Sequence, residues 1–140
     1  TIIGDIFNGG IATSTIKYGL NKVNTISMGL AGTAATSTDA FGHYLVSQDL
    51  AVFGVDIAAG IAGNGNTIIG IFNSSSTNMF STNPSIGNNA TSSMGQTAAN
   101  ATTVLAGSFI SANVSSTPST PPIDLYLNIN VYPLNYQYYQ

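Results

Sequence analysis

The sequence predicts an all-β fold: a β-sandwich, immunoglobulin-like or jelly-roll-like, built from two pseudo-repeats within a single domain (about residues 1–66 and 67–140) and carrying an exchanged terminal strand. Three observations predict it. The opening run Thr-Ile-Ile-Gly-Asp-Ile-Phe-Asn returns 66 residues later as Thr67-Ile68-Ile69-Gly70-Ile71-Phe72-Asn73, with only Asp5 skipped. From Ile123 to Val131 an aliphatic residue occupies every odd position, the two-residue period of a strand with one buried face. Short apolar runs are punctuated throughout by Gly and Asn turn signals, the pattern of a sandwich rather than of helices.

The repeat continues in register. Ser27-Met28-Gly29 matches Ser93-Met94-Gly95, Ala35-Thr36 matches Ala101-Thr102, and Ala40 matches Ala106. Asp49-Leu50-Ala51-Val52 parallels Asp124-Leu125-Tyr126-Leu127 after a further shift of nine residues, which the proline-rich stretch 116–122 absorbs. A repeated unit leaves apolar surface for a neighbouring copy to cover. With only two copies in the chain, the partner surface is expected on another molecule.

Taken in order, strands are predicted over 1–7, 13–20, 25–30, 44–57, 66–72, 103–114 and 123–132. The 44–57 stretch is rich in β-branched and aromatic residues but alternates poorly, which predicts a bulge or a strand buried on both faces. Turns are predicted at Asn8-Gly9-Gly10, Gly63-Asn64-Gly65-Asn66, 73–78 and 83–89. A helical alternative exists, since Met94, Ala98, Ala101, Leu105 and Phe109 recur at spacings of three to four, and Ile3, Ile6, Phe7 and Ile11 can be read the same way. Fifteen glycines, abundant Ser and Thr, and the absence of Glu and Arg weigh against it.

Charge is nearly absent. The acidic residues are Asp5, Asp39, Asp49, Asp56 and Asp124 and the basic ones Lys17 and Lys22, giving 5% charged residues where ordinary domains have about a quarter. With few carboxylates to protonate, the chain is suited to a harsh, acidic exterior. Asn8-Gly9 and Asn64-Gly65 are chemically fragile and argue against extreme heat. A net charge of −3 without a basic cluster predicts no nucleic-acid partner. The longest apolar run, 50–62, is interrupted by Asp56 and falls short of the ~20 residues of a membrane span. A start at Thr1 without Met predicts a secreted, processed form. Four Asn-X-Ser/Thr sequons, at Asn73, Asn89, Asn100 and Asn113, agree with an extracellular location and are the candidate N-glycosylation sites.

Catalytic chemistry finds little to work with. His43 is the lone histidine, with Asp39 four residues before and Ser47 four after, a spacing that would build a relay only on a helix. No nucleophile elbow accompanies it, and a plain surface histidine is the better reading. Asp49 and Asp56 could share a cation across a bulge, but pairing with Lys17 or Lys22, or simple solvation, is favoured. Gly60-x-x-Gly63-x-Gly65 lacks the Lys-Ser/Thr of a phosphate loop and reads as a turn. No catalytic residue, metal or cofactor is predicted, and the chain reads as a non-enzyme. Tyrosines 126, 132, 136, 138 and 139 crowd the C-terminal end, as on sugar-binding faces and at interface anchors, or simply as a ladder on the outer face of the last strand.

What remains is structure and adhesion. Residues 1–8 form an apolar strand backed by a flexible hinge at Gly9 and Gly10, and such an arm can add to a neighbour's open sheet with Ile2, Ile3, Ile6 and Phe7 filling its pockets. Head-to-tail insertion does not close and makes filaments. The arm after Pro121-Pro122 is the alternative donor. In this apolar N terminus, the low-charge Asn/Ser/Thr-rich body and the sequons, the chain resembles the secreted filament subunits of archaea, threads and bundling pili. That resemblance implies β-sandwich subunits linked by donor strands, a homopolymer at the cell surface serving adhesion or biofilm, with glycans or neighbouring filaments as further partners. The long hydrophobic N-terminal helix of type IV pilins is missing. Two alternatives stand beside it: a helical coat protein of a virus infecting an extremophile, and a secreted carbohydrate-binding module with the C-terminal tyrosines as its platform.

Overall fold

The computed structural model describes residues 24–97 and 103–134. Among these residues nine strands follow in order: β1 (Asn24–Thr33), β2 (His43–Leu45), β3 (Leu50–Ile61), β4 (Thr67–Asn73), β5 (Ser85–Ile86), β6 (Ser92–Thr97), β7 (Thr103–Val104), β8 (Phe109–Ser116) and β9 (Ile123–Pro133). They form two antiparallel sheets packed face to face. One has the order β1-β9-β3-β6, with β7 also pairing β3, and the other the order β2-β8-β4-β5.

The alternation of β9 sets the first sheet. Leu125, Leu127, Ile129 and Val131 point inward, while Tyr126, Asn128 and Tyr132 face outward. Ile26 and Met28 of β1 and Val52, Val55 and Ile57 of β3 share its inner face. The second sheet contributes Ile69 and Ile71 from β4, Ile86 from β5 and Ile110, Ala112 and Val114 from β8, and all join one continuous core. Each fully buried aliphatic side chain contributes about 1.5–3 kcal/mol, so this shared core holds the two layers together.

The scarce carboxylates serve the backbone. Asp124, Asp56 and Asp49 accept main-chain N–H groups of Gly32 (2.7 Å), Gly95 (2.8 Å) and Ala106 (2.9 Å). Two of these donors lie where strand pairing is irregular: β1 shifts register against β9 between Leu30 and Thr33, and β6 shifts against β3 opposite Val55 and Ile57. A bulge leaves an amide outside the ladder, and a nearby carboxylate satisfies it.

Two sequence expectations are corrected. The stretch 44–57 is not one strand: the chain leaves the second sheet after β2 and enters the first as β3. β3 is mostly buried and carries the predicted irregularity, with register shifts between Val52 and Gly54 and between Val55 and Ile57. The stretch 103–114 is likewise divided, by a turn in which Ser108 donates to Leu105 O and Gly107 takes a φ of 87°. The helical alternative finds no helix among the described residues. Met94 lies in β6 and Phe109 in β8, and Leu105 sits in the turn after β7, so their spacing is not a helical face. The strands predicted over 1–7 and 13–20 lie outside the described residues.

Candidate subunit interface

Along β2 no described strand closes the sandwich. Among the described residues β2 ends its sheet, pairing only with β8 through His43↔Ser111, Tyr44↔Ile110 and Leu45↔Phe109. Val46 donates to Ser108 O and its carbonyl accepts from Gly107, so the even-numbered residues exchange bonds with β8. By the alternation of an antiparallel ladder, the main-chain N–H and C=O of His43 and Leu45 point to the free side. No described strand meets them there. An unpaired edge of this kind is a template for another strand, and proteins normally blunt it with charge, proline or cover. Here none of the three residues carries a permanent charge.

The side chains repeat the message. Residues opposite each other in a ladder point to the same face, so Tyr44 faces inward with Ile110. Ile110 is fully buried, whereas Tyr44 is 41% exposed. Leu45, on the outer face, is 70% exposed. His43 lies flat on Phe109, ring centroids 4.2 Å apart, with its Nε2 3.2 Å from Asp39 Oδ2. Asp39 and His43 thus do meet, through the turn that precedes β2, in which Gly42 N–H donates to Asp39 O. Ser47 lies past the end of the strand, and both His43 and Asp39 are solvent-exposed. The arrangement orients a ring beside an edge and supplies no enclosed site for a relay.

Next to this edge, Thr38, Asp39, Phe72, Ser76, Ser111 and Asn113 line a shallow concavity of about 310 Å³. Its groups are hydroxyls, an amide, one carboxylate and the Phe72 ring. Among the described residues no cluster of His, Cys, Asp or Glu could hold a metal ion, and Asp49 and Asp56 each bind a different backbone amide. No helix among the described residues is long and apolar enough to cross a membrane.

Of the predicted interface residues, Ile2, Ile3, Ile6 and Phe7 and the hinge residues Gly9 and Gly10 lie outside the described residues, as do Lys17, Lys22 and Asn100. The alternative donor is accounted for. From Ile123 to Pro133 the chain pairs on both sides with its own β1 and β3, so the stretch after Pro121-Pro122 is a central strand and not a free arm. Of the sequons, Asn89 is exposed in a left-handed turn, with φ 57°. Asn73 and Asn113 are half-buried and use Oδ1 to bind backbone: Asn73 accepts from Ser75 and Thr77, and Asn113 from Gly70. Tyr126 and Tyr132 stand exposed on the outer face of the first sheet, Tyr132 tilted against Phe53 at 5.8 Å.

No protein-family model and no curated protein matches the chain. The exposed edge at β2 is what sequence reasoning missed. The β-character of Tyr44 and Leu45 is readable, but not that no described strand pairs beyond them.

Proposed function

We propose that the chain is the structural subunit of an extracellular filament, a homopolymer of the pilus or thread kind in which one subunit's terminal strand inserts into the next subunit's sheet. The observation that carries this reading is the edge of β2, which no described strand pairs and where an inward-facing tyrosine is 41% exposed. A sheet edge with unpaired main chain and uncovered apolar side chains is completed by strand addition, which supplies register through backbone bonds and specificity through alternate side chains. The sequence offers a matching segment, the apolar residues 1–8 followed by Gly9-Gly10. Because donor and acceptor are different surfaces of one chain, the contact is heterologous and propagates. An exposed sequon at Asn89 and a surface of Asn, Ser and Thr suit an exterior location and leave adhesion or biofilm as the role.

The test is electron microscopy of the native secreted material, with a size measurement after gentle dissociation. Uniform filaments are expected, and the paired substitutions Ile3→Asp and Phe7→Asp should abolish them. A dispersed monomer of the wild-type chain would reject the reading. It would promote a second one, a carbohydrate-binding module using the outer face on which Tyr126, Asn128, Asn130 and Tyr132 alternate along β9; glycan binding lost on Tyr126→Ala would identify that role. The helical coat-protein alternative has lost its premise, since the described residues are all-β.

A further inference from the structure

We propose that the edge of β2 that no described strand pairs is the acceptor for residues 1–8 of a second copy, which enter antiparallel to β2 with Phe7 opposite Leu45 and Ile6 opposite Val46. This placement rests on the filament reading and goes beyond it by fixing the slot, the direction and the register.

The placement follows from the way the internal repeat maps onto the two sheets. The Ser-Met-Gly runs fall on β1 and β6, the outer strands of the first sheet, and the Asp-Leu runs on β3 and β9, its centre. Exchanging β1 with β6 and β3 with β9 returns the order β1-β9-β3-β6 read backwards, as a two-fold axis through the sheet would. In the second sheet the same 66-residue offset exchanges Tyr44 with Ile110, which stand opposite each other on the β2–β8 ladder. The partner of β4 under that exchange is residues 1–8. Since β4 covers the far side of β8, residues 1–8 belong on the far side of β2, which no described strand occupies.

The register carries over from β4 and β8, where Ile71 faces Ala112, Phe72 faces Ser111 and Asn73 faces Ile110. The equivalents are Ile6 with Val46, Phe7 with Leu45 and Asn8 with Tyr44, Asp5 being the extra residue that a bulge accommodates. Ile71 is fully buried against Ala112, so Ile6 enters the core beside Val46 and closes the gap over Tyr44. Phe72 lies on the outer face with its ring over Gly70, close enough that a Cβ there would sit 2.7 Å from Cε1. Phe7 over Gly4 would likewise shelter the exposed Leu45.

The strand comes from a second copy because the clip that folds β4 back on its own chain has no counterpart in the first repeat. After β4, Ser74 Oγ accepts the Phe109 N–H at 2.7 Å and donates to the Phe109 carbonyl at 3.2 Å, and Ser76 N–H closes a turn on Asn73 O. The residue matching Ser74 is Gly9 and that matching Ser75 is Gly10. Two glycines offer no hydroxyl with which to clip residues 1–8 onto β2 of the same chain.

The chain contains no cysteine, which allows a direct test. Paired residues in an antiparallel ladder lie about 4.5–5.5 Å apart at Cα, within disulfide range. Filaments dissociated and reassembled from a mixture of F7C and L45C single variants, then oxidised, should give a covalent dimer absent from a mixture of F7C and Y126C. The F7C/L45C double variant should give a ladder of covalent multimers. In the unmutated protein, the amides of His43 and Leu45 should exchange slowly in filaments and quickly in dissociated subunits. Normal filaments with neither the F7C–L45C link nor that protection would overturn the slot and leave the filament reading standing. An intramolecular disulfide in the double variant, without a ladder, would overturn the second copy as donor. A wild-type chain that never polymerises would remove the filament reading itself.

Discussion

Tyr44 and Ile110 stand opposite each other on the β2–β8 ladder with side chains on the same face, yet Ile110 is wholly buried and Tyr44 is 41% exposed. The difference lies in what flanks each strand. β8 has β4 beyond it and β2 has no described strand on its far side, so equivalent positions have opposite solvent environments.

The two residues should therefore fail differently. Ile110→Ala removes buried volume from a closed core and should cost about 2–5 kcal/mol, read as a lower urea midpoint of the dissociated subunit. Tyr44→Ser should change that midpoint little, since half-open surface positions respond weakly, but should reduce or abolish polymer yield by microscopy and sedimentation. Equal loss of subunit stability in both variants would mean that the β2 edge is already closed.

Thr67 opens β4 fully buried, and its Oγ1 is the one buried side-chain polar atom among the described residues without a hydrogen-bond partner. A buried hydroxyl without a partner costs about 1–3 kcal/mol. Valine has nearly the same shape and no group to desolvate, so Thr67→Val should raise subunit stability by about 1 kcal/mol in urea unfolding. A decrease would show that the hydroxyl is satisfied.

These positions also show what the sequence could and could not disclose. β9 was legible because one buried face imposes a strict two-residue period on its aliphatic residues. The division of 44–57 was not, because the crossing between sheets at residues 46–49 is fixed by distant bonds: Asp49 takes the Ala106 N–H on its side chain and the Leu134 N–H on its carbonyl. In 103–114 a local signal existed, Ala106-Gly107, and Gly107 does adopt the left-handed conformation that ends β7. The helical spacing of Met94 and Leu105 was coincidental, for both are exposed, at 76% and 58%. The candidate site was half legible: residues 1–8 are visible as the first copy of a repeat, but that no described strand lies beyond β2 is a matter of topology, which no local pattern encodes.

Gly70 is predicted to resist substitution for a reason of space rather than backbone angle. A Cβ there would overlap Asn113 Oδ1 and crowd the Phe72 ring at 2.7 Å. It would thereby press on the acceptor that binds Gly70's own N–H at 3.0 Å. Gly70→Ala should cost about 1–3 kcal/mol, as overpacking typically does, and Asn113→Ala alone should cost less because it leaves the ring in place. Combining the two should recover part of the loss, since removing the Asn113 side chain makes room for the new methyl; strictly additive losses would contradict the steric account.

Asp124 combines two unusual roles at the start of β9. Its φ is 57°, and its Oδ1 accepts the Gly32 N–H at 2.7 Å where β1 leaves its register. Left-handed backbone is tolerated by Gly and by Asn or Asp, and costs other residues about 1–2 kcal/mol. A hydrogen bond to a charged acceptor contributes about 1.5–3 kcal/mol when desolvated, and less here because the site is half-exposed and screened. Asparagine keeps both the acceptor and the backbone preference, glycine keeps only the backbone preference, and alanine keeps neither. Stability should fall in the order wild type, Asp124→Asn, Asp124→Gly, Asp124→Ala, with the alanine variant lowest by about 2 kcal/mol in urea unfolding. Should alanine match asparagine, neither the bond to Gly32 nor the left-handed turn would matter to the fold.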